Sequence, residues 1–365
     1  MSSPTLPAAW YADADHYAHE QHAVFENGWS CIGVADLVAQ PNTYFTALVG
    51  GVTPVVITRD SAGALAGFIN VCRHRGAPVA TGCGPARALS CPYHAWVYRL
   101  DGSLSRARGF DNDPDFDPSQ HNLVPVAVAV WARFVFVNLL PDAPPLDLGP
   151  LANAIQPYPL TEMNLVATDE HDGAFNWKVF VENYSENFHT PLVHPELIVN
   201  GWEYPTLCKG PISLAWDRPL RPTNAVEQAL ADATPGDPRW SGVASVQVDD
   251  AFIAGSYFTV FPNLLVSMFP RYGHAIHVQP TSPRTTKLTV FRFAHPSVTP
   301  ERLTVDLAAS REVAQQDLDI CALVQQGFNA GIDTNGVVSS EHEPGVIHIH
   351  EILRRSCRET AASTD

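Results

Sequence analysis

Lysine is scarce in this sequence, since only Lys178, Lys209 and Lys287 occur among its 365 residues. The 22 basic residues stand against 38 acidic ones, and the formal net charge is −16. Nucleic acids and anionic membrane surfaces are bound by basic patches, so this balance argues against both. No stretch approaches the ~20 consecutive apolar residues that a membrane-spanning helix needs. We therefore expect neither nucleic acid nor membrane among the partners.

A secretory signal is also lacking, because the first 25 residues have neither a basic beginning nor an apolar run. That predicts a cytoplasmic, reducing location, where cysteines are more often metal ligands or core residues than halves of disulfides. The odd number of cysteines, seven, agrees with this expectation. Histidine, by contrast, is plentiful with 15 residues, and the question is which of them do chemistry.

The order of predicted elements indicates an α+β protein of three parts. Residues 1–29 form an N-terminal helical lead that packs on the larger domain, residues 30–145 a small all-β domain, and residues 146–365 the larger mixed domain. The proline-rich stretch 140–150 is typical of a linker. The all-β prediction rests on β-rich runs at Tyr44–Leu48, Pro54–Thr58, Trp96–Tyr98 and Phe134–Asn138, with a hairpin turn at Asp101-Gly102.

Helices and strands are both predicted in the larger domain. Residues Phe175–Thr190 carry apolar side chains at helical spacing. Thr299 and Pro300 form a helix start, with Thr as N-cap and Pro at the first helical position, and this helix should run to about Gly327. Residues 252–295 alternate with period two in places, which predicts antiparallel strands.

Two Cys-His pairs lie within the predicted β domain. Cys72-Arg-His74 is followed, after 16 residues, by Cys91-Pro-Tyr-His94. A Rieske [2Fe-2S] centre needs this set, with two Cys on one iron and two His on the other. A Cys₂His₂ zinc site stays open as an alternative, although structural zinc sites usually pair Cys with Cys and His with His.

A second constellation lies in the predicted helix Phe175–Thr190 and just after it. Glu182, Glu186 and His189 are spaced i, i+4 and i+7, which predicts one shared helical face. His194 follows five residues after His189, and on a continuous helix the two would diverge by about 140°. Pro191 disfavours a helical residue before it, so we expect a turn there that lets both histidines face one metal.

The third ligand of such a site should be a carboxylate, which completes the 2-His-1-carboxylate triad of non-haem Fe(II) oxygenases. Asp317 is the best candidate, because it lies on the apolar face of its helix, where a carboxylate needs a partner or a metal. Asp319 points to the opposite side, and Asp306 is a weaker competitor. Each of these motifs alone is weak evidence for a metal site. The prediction rests on their occurrence together, after the two Cys-His pairs.

At these motifs the sequence resembles the α subunit of Rieske non-haem iron oxygenases, the aromatic-ring-hydroxylating oxygenase superfamily. The likeness covers nearly the whole chain, from the two Cys-His pairs through Glu182-Asn-Tyr and His194-Pro to Asp317-Leu-Asp-Ile. It implies a Rieske domain, a catalytic domain with an antiparallel sheet flanked by helices, a [2Fe-2S] Rieske cluster and a mononuclear Fe(II). It also implies a homotrimer and a separate flavin or iron–sulfur reductase, with or without a ferredoxin, that draws electrons from NADH or NADPH.

The resemblance also assigns roles to single residues. It places Cys72, His74, Cys91 and His94 on the cluster, and His189, His194 and Asp317 on the mononuclear iron. It makes Glu186 a bridge between His189 and His94 of the neighbouring subunit, where a carboxylate orients both imidazoles.

The resemblance also bears on the substrate. A glutamate at the bridge, where ring-hydroxylating dioxygenases usually have aspartate, is similar to the branch that oxidises quaternary amines such as choline, glycine betaine and carnitine. Two features depart from that branch: Asn187-Phe188 stands where Cys-Tyr is frequent, and Gln316 replaces an acid that often precedes the ligand Asp.

We therefore expect a terminal oxygenase component that uses O₂ and reductase-supplied electrons to oxidise a small organic substrate by monooxygenation, hydroxylation or demethylation. Cis-dihydroxylation of an arene stays open, as does a Rieske-type electron carrier without oxygenase activity. The pocket candidates are apolar residues near the iron motif and on the predicted sheet, although for any single one of them we favour ordinary core packing: Phe188, Val193, Trp202, Phe258, Phe261 and Met268.

Overall fold

The computed structural model describes residues 2–197, 202–221, 228, 231–232, 255–332 and 336–362. The chain divides into two compact units. The smaller unit is Phe25–Leu146, and the larger unit combines Met1–Val24 with Asp147–Asp365. The boundary between Leu146 and Asp147 falls in the proline-rich stretch.

The smaller unit is built from antiparallel strands, as its short β-branched and aromatic runs predict. Its main sheet consists, in spatial order, of Ser30–Val34, Phe134–Asn138, Pro125–Trp131, Leu65–Ile69, Thr53–Arg59, Thr43–Val49 and Cys83–Pro85. A second sheet contains Leu89–Ser90, Val97–Tyr98 and Leu104–Arg106. Three of the four β-rich runs singled out in the sequence lie wholly in these strands, and the fourth, Trp96–Tyr98, enters its strand at Val97, so the all-β prediction is confirmed.

The hairpin turn predicted at Asp101-Gly102 is also present. Gly102 has a φ of +83°, and an added Cβ there would collide with the ring of Phe68. The Asp101 carboxylate accepts the Ser103 N–H at 2.8 Å, which fixes the turn. The turn therefore requires glycine for both conformation and space.

The larger unit is organised around an antiparallel sheet. In spatial order its described strands are Asn164–Gly173, Thr285–Ala294, Tyr272–Ser282, Leu264–Met268, Ser256–Val260, Ile212–Trp216 and Thr206–Lys209. Two further strand pairs join Ser2–Pro4 to Val337–Ser339 and Trp202–Glu203 to Arg218–Pro219. The antiparallel strands predicted within 252–295 are confirmed from Ser256 to Ala294.

Helices accompany this sheet. They are α1 (Ala14–Glu20), α2 (Trp177–Tyr184), α3 (Thr190–Val193), α4 (Pro300–Asn329) and α5 (Pro344–Ala362). The side chain of Thr299 accepts the Arg302 N–H and caps α4, as predicted, and the helix continues two residues past Gly327. No helix in the described part of the chain is long and apolar enough to cross a membrane.

The prediction of a continuous helix over Phe175–Thr190 is wrong. Asn176 caps α2, and the helix ends at Tyr184, where the Ser185 hydroxyl donates to the Val181 carbonyl at 2.6 Å. The Glu186 carboxylate then accepts the backbone N–H groups of Phe188 and His189 and starts the next turn. Because the chain breaks at residue 185, Glu182, Glu186 and His189 do not share one helical face. The break comes before Pro191, which lies in the first turn of α3.

A buried ion pair ties the N-terminal residues to α2 within the larger unit. Lys178 Nζ donates to Glu20 Oε2 at 2.7 Å, and Trp177 Nε1 donates to Glu20 Oε1 at 2.5 Å. The side chains of Glu20 and Lys178 are both fully buried. One of the chain's three lysines therefore has a structural role.

Candidate metal centres and substrate pocket

Two loops of the smaller unit present the Cys-His pairs with the same backbone hydrogen bonds. Gly76 N–H donates to the Cys72 carbonyl at 3.0 Å, and Ala95 N–H donates to the Cys91 carbonyl at 3.1 Å. Each cysteine N–H in turn donates to the carbonyl five residues on, at 2.8 Å in both loops. Gly76 and Ala95, both four residues after the cysteine, have positive φ values of +77° and +58°. A left-handed residue at this point turns each loop back.

The loops bring the four cluster candidates together. The ring centroids of His74 and His94 lie 4.6 Å apart, and the side chains of Cys72 and Cys91 are buried. The Nδ1 atom of His74 is buried and has no hydrogen-bond partner among the described residues. Two buried thiols beside an imidazole nitrogen that lacks a hydrogen bond fit the donor set of a Rieske cluster.

In the larger unit, three side chains converge on one point. The Nε2 atoms of His189 and His194 lie 3.5 Å and 3.0 Å from Asp317 Oδ1. One ligand atom from each of the three residues lies within 4.8 Å of the others. His189 precedes α3 and His194 follows it, so this one-turn helix sets the angle between the rings. Asp317 enters from α4, whereas Asp306 pairs with Arg302 elsewhere on that helix.

Both histidines are oriented through their other ring nitrogen. His189 Nδ1 donates to Glu186 Oε1 at 2.6 Å, and His194 Nδ1 donates to Gln316 Oε1 at 2.6 Å. Since these oxygens act only as acceptors, Nδ1 carries the proton and Nε2 is left with its lone pair in the neutral ring. This is the arrangement of metal-binding histidines.

The triad also has the charge that a metal ion requires. Burial alone would raise the pKa of Asp317, but hydrogen bonds from His189, His194 and Asn183 lower it to about 2. Burial alone would lower the pKa of His189, but hydrogen bonds to Asp317 and Glu186 raise it to about 9. The carboxylates thus favour positive charge here, and a divalent cation supplies it. Two imidazoles and one carboxylate, with room beside them, fit mononuclear iron.

A cavity of about 370 Å³ opens beside the triad. One wall is the face of the sheet that carries Tyr257, Ser267, His274 and Arg292. These residues pair one to the next across four neighbouring strands, so they form a row and point to the same side. The opposite walls come from residues of α2 and α4 and from the segment around α3.

Asp217 is a buried acid in the wall of this cavity. It follows the strand Ile212–Trp216 and accepts the Gly255 N–H at 2.7 Å and the Tyr257 hydroxyl at 3.2 Å. Burial raises the pKa of Asp217 to about 7, against the effect of these two hydrogen bonds. The cavity therefore contains a carboxylate whose charge is costly without a cation beside it.

Two of the candidate pocket residues on the sheet face away from the cavity. Phe258 and Met268 are fully buried, and each is the strand neighbour of a residue that lines the cavity, Tyr257 and Ser267. Successive side chains of a strand point to opposite faces of the sheet, so if one residue points into the core, the next one points into the cavity. For these two candidates, ordinary core packing is therefore the explanation that the structure supports.

The described side chains among the remaining pocket candidates do not line the cavity either. Phe188 is 59% exposed and stacks on His342, outside the cavity. Val193 and Phe261 are also absent from its walls. The side chain of Trp202 lies outside the described residues. Apolar character near a metal motif did not distinguish cavity from core.

Several residues of these sites were not found from the sequence. The Tyr98 hydroxyl lies 3.5 Å from Cys72 Sγ and accepts the Arg73 N–H at 2.9 Å. Asn183 donates a hydrogen bond to Asp317, and Gln316 accepts one from His194. Asp217 lies in the cavity wall. A signal existed for Asp217, because an acid directly after five buried strand residues is unusual. Tyr98 carried no such signal.

Two family models match this chain. Residues 160–359 match the ring-hydroxylating α subunit (catalytic domain), and residues 28–124 match the Rieske [2Fe-2S] domain. The first match alone covers more than half of the chain. A zinc-binding module and a simple electron carrier are therefore excluded, since neither contains this catalytic domain.

Individual proteins that are similar to this chain indicate the same family as the two models. The choline monooxygenase of Spinacia oleracea is 29% identical over 97% of this chain and 78% of its own length. The carnitine monooxygenase oxygenase subunit of Acinetobacter pittii is 36% identical over 52% of this chain and 53% of its own. A crystal structure of the quaternary ammonium Rieske monooxygenase CntA superposes with a TM-score of 0.82 at 25% identity, covering 97% of this chain and 96% of the other.

The fold, the donor sets and these matches lead to one enzyme class. Proteins of this class take electrons from a partner reductase and use O₂ to oxidise small organic molecules. The cofactors are a Rieske [2Fe-2S] cluster and a mononuclear iron. This chain belongs to the ring-hydroxylating α-subunit family and is a Rieske-type non-haem iron oxygenase.

Proposed function

We propose that this oxygenase monooxygenates a small quaternary ammonium compound. The observation that carries the proposal is the buried carboxylate of Asp217 among the aromatic rings of the cavity. Those rings are Tyr184, Tyr204, Tyr257 and Phe269. Aromatic faces and a carboxylate are the groups that bind a cation which has no N–H to donate.

The charge on Asp217 supports a cationic substrate. Only 5% of the residue is exposed, and none of the ion pairs among the described residues involves it. A buried anion without a counter-ion destabilises the protein, and a bound cation offsets that cost. An arene would bring no charge, so we favour a cation over the substrate of a cis-dihydroxylating dioxygenase.

The relatives support the same substrate class, since they are named choline and carnitine monooxygenases. Choline and carnitine share a trimethylammonium group. When that group is held near the iron, its methyl hydrogens or those of the neighbouring carbon are within reach of oxidation. Hydroxylation of an N-methyl group would release an aldehyde and the demethylated amine.

We assign the metal-binding roles as follows: Cys72, His74, Cys91 and His94 hold the cluster, and His189, His194 and Asp317 hold the iron. When held by His189, His194 and Asp317, iron would supply open positions for activating O₂; one oxygen atom would enter the substrate, and the other would leave as water with two electrons and two protons. Glu186 orients His189 through Nδ1, and Gln316 orients His194 in the same way.

We further propose that Glu186 links His189 to His94 of a neighbouring subunit in a homotrimer, and that a flavin or iron–sulfur reductase supplies the electrons in the cytoplasm. Glu186→Gln should leave both metal sites loaded and reduce turnover at least ~100-fold, because it removes the charge that joins the imidazoles. Glu182→Gln is the matched control, since Glu182 lies four residues earlier, within α2, and its carboxylate accepts the Tyr11 hydroxyl instead. Full activity of Glu186→Gln would refute the bridge.

A substrate panel with a surrogate reductase tests the proposed function. Choline and its neutral isostere, in which carbon replaces the ammonium nitrogen, differ in charge but hardly in shape. We expect product, with one atom of ¹⁸O from ¹⁸O₂ per turnover, from ammonium compounds only. Product is scored by mass spectrometry rather than O₂ uptake, because uncoupled turnover also consumes O₂. Equal oxidation of the isostere, or dihydroxylation of arenes alone, would contradict the proposal.

A further inference from the structure

A second and smaller cavity lies in the larger unit, between the sheet and α4. Its volume is about 30 Å³. A cavity that measures ~10–15 Å³ in this way has room for one water molecule, so this one admits a molecule of about two heavy atoms. We call it the side cavity, and its apolar walls are formed by Val166, Phe269, Phe293, Leu303 and Leu307.

The side cavity presents apolar atoms because polar side chains in its wall are bonded to other protein groups. The Asp306 carboxylate accepts Arg302 Nε at 2.9 and 3.0 Å, and the Ser310 hydroxyl accepts Arg292 Nη1. Apolar atoms therefore make up most of the cavity surface. An apolar cavity of this size holds water poorly and takes up small apolar molecules such as xenon.

The side cavity adjoins the larger cavity beside the triad. Four residues line both of them: Phe269, His274, Arg292 and Ser310. Only the thickness of these side chains separates the two spaces. A rotation of one of these side chains is therefore enough to pass a small molecule from one to the other.

One face of α4 runs along both cavities. Leu303, Leu307, Ser310, Ala314 and Asp317 are spaced i, i+4, i+7, i+11 and i+14, so they share that face. The first three line the side cavity, and the last three line the larger one. Leu303 and Leu307 are half-buried, so this end lies close to solvent. At 1.5 Å per residue, about 21 Å separates Leu303 from Asp317 along the helix.

We propose that the side cavity is a binding site for O₂ on its way to the triad, separate from the space that holds the organic substrate. O₂ is diatomic, uncharged and apolar, so it matches both the volume and the walls. A substrate of several carbon atoms is too large for this site. When such a substrate fills the larger cavity, the route along α4 stays open to O₂. The inference goes beyond the proposed function, because an oxygenase consumes O₂ whatever its organic substrate is.

Crystals of the wild-type holoenzyme under xenon pressure give the first test. Xenon is apolar, close to O₂ in size and a strong scatterer of X-rays. We expect a xenon atom in the side cavity. Ordered water there instead, or xenon in the larger cavity only, would overturn the inference. This test needs no organic substrate, so its outcome is independent of the proposed function.

Two variants of α4 give the second test. Leu307→Phe fills the side cavity, and Val305→Phe is the matched control, because Val305 is 63% exposed and lies outside both cavities. We expect Leu307→Phe to abolish the xenon site and to reduce kcat/KM for O₂ about fivefold. The kcat at saturating O₂ and the Kd of the organic substrate should stay at wild-type values, as should all three quantities in Val305→Phe.

Product formed at several O₂ concentrations measures these constants. An unchanged kcat/KM for O₂ in Leu307→Phe, or an equal fall in Val305→Phe, would refute the proposal. Leu307→Ala keeps the test open if the larger side chain prevents folding. It enlarges the side cavity, so it should take up more xenon and keep kcat/KM for O₂ at least at the wild-type value. A fivefold fall in that variant would also count against the proposal.

Discussion

Individual hydrogen bonds make the two histidines of the triad unequal. His189 Nδ1 donates to a carboxylate, Glu186, whereas His194 Nδ1 donates to a neutral amide, Gln316. A charged acceptor increases the basicity of a histidine ligand more than a neutral one does. His189 is therefore the ligand whose electron density depends on a titratable neighbour. That neighbour is the residue we propose as the bridge between subunits.

Asp317→Asn should remove the mononuclear iron and leave the cluster, because a neutral amide cannot replace the only carboxylate of the triad. Iron content should fall from about three to about two per chain, since the cluster holds two, with the Rieske electron paramagnetic resonance signal unchanged. The control is Asp319→Asn, two residues along α4, where the carboxylate receives only Gln315 at 2.8 Å. An Asp317→Asn protein that retains three irons would disprove the assignment.

Asp217→Asn should stabilise the fold and weaken binding. Burial raises the pKa of Asp217 to about 7, from about 3.9 in an unfolded chain. The native state therefore loses stability as pH rises from 4 to 7, because its carboxylate resists ionisation. At pH 8 the variant should gain up to about 4 kcal/mol in free energy of unfolding, and less at pH 5.

The same charge should set the pH dependence of substrate binding. Affinity for a trimethylammonium compound should rise as pH increases through about 7 in the wild type and stay flat in Asp217→Asn. Denaturant titrations and calorimetry at several pH values measure the two effects. A variant that loses both stability and affinity would show that Asp217 is structural.

At the scale of elements, the segment between α2 and α3 decides the iron site. A continuous helix would keep His189 and His194 on diverging sides, whereas here His189 directly precedes the one-turn helix α3 and His194, which has a non-helical backbone, follows it. The interruption at Ser185 separates this segment from α2. The Ser185 hydroxyl bonds to both the Val181 carbonyl and Thr259, which joins the end of α2 to the sheet. The break is thus held by packing on the sheet as well as by local sequence.

The contact of the N-terminal residues with α2 should depend on the Glu20–Lys178 pair. Lys178→Met leaves the Glu20 carboxylate buried without its cation, and the loss should be about 3–5 kcal/mol in free energy of unfolding. Lys287→Met is the control, because Lys287 pairs with Glu170 at 2.9 Å on the exposed sheet surface. That variant should lose less than about 1 kcal/mol. Equal losses in guanidinium chloride titrations would contradict this account.

At the scale of the whole molecule, the proposed electron transfer between the subunits of a homotrimer makes a testable prediction. A Cys72→Ala chain lacks the cluster and a His189→Ala chain lacks the iron, so each alone should be inactive. If a cluster serves the iron of a neighbouring subunit, mixed trimers of equal proportions should recover about a quarter of wild-type activity, since half the chains keep iron and half their neighbours keep a cluster.

Transfer within one subunit would leave every mixed trimer inactive. The comparison requires co-expression of the two chains and size-exclusion chromatography to establish that both assemble. Mixing the two purified variants without subunit exchange provides the negative control.

Much of this protein follows from its sequence alone, for local physical reasons. The separation of cysteine and histidine along the chain identifies the two Cys-His pairs. Capping by the side chain of Thr299 predicts where α4 begins. The alternation of β-branched and turn residues predicts the strands of the smaller unit. These features depend on residues close in sequence, so their pattern is visible without a fold. That the named residues bind iron stays a prediction, which the variants above test.

Tertiary structure decided what depends on distant partners. It ended α2 at Tyr184, and it placed Tyr257 and Ser267 rather than Phe258 and Met268 in the cavity. The face of a strand that meets the cavity is set by the helices packed against it, which strand residues do not reveal. Asp217 and Arg292 are far apart in sequence, and only strand pairing puts them in one cavity. The sequence determined the class of chemistry, and the packing of the sheet determined which charged residues line the cavity.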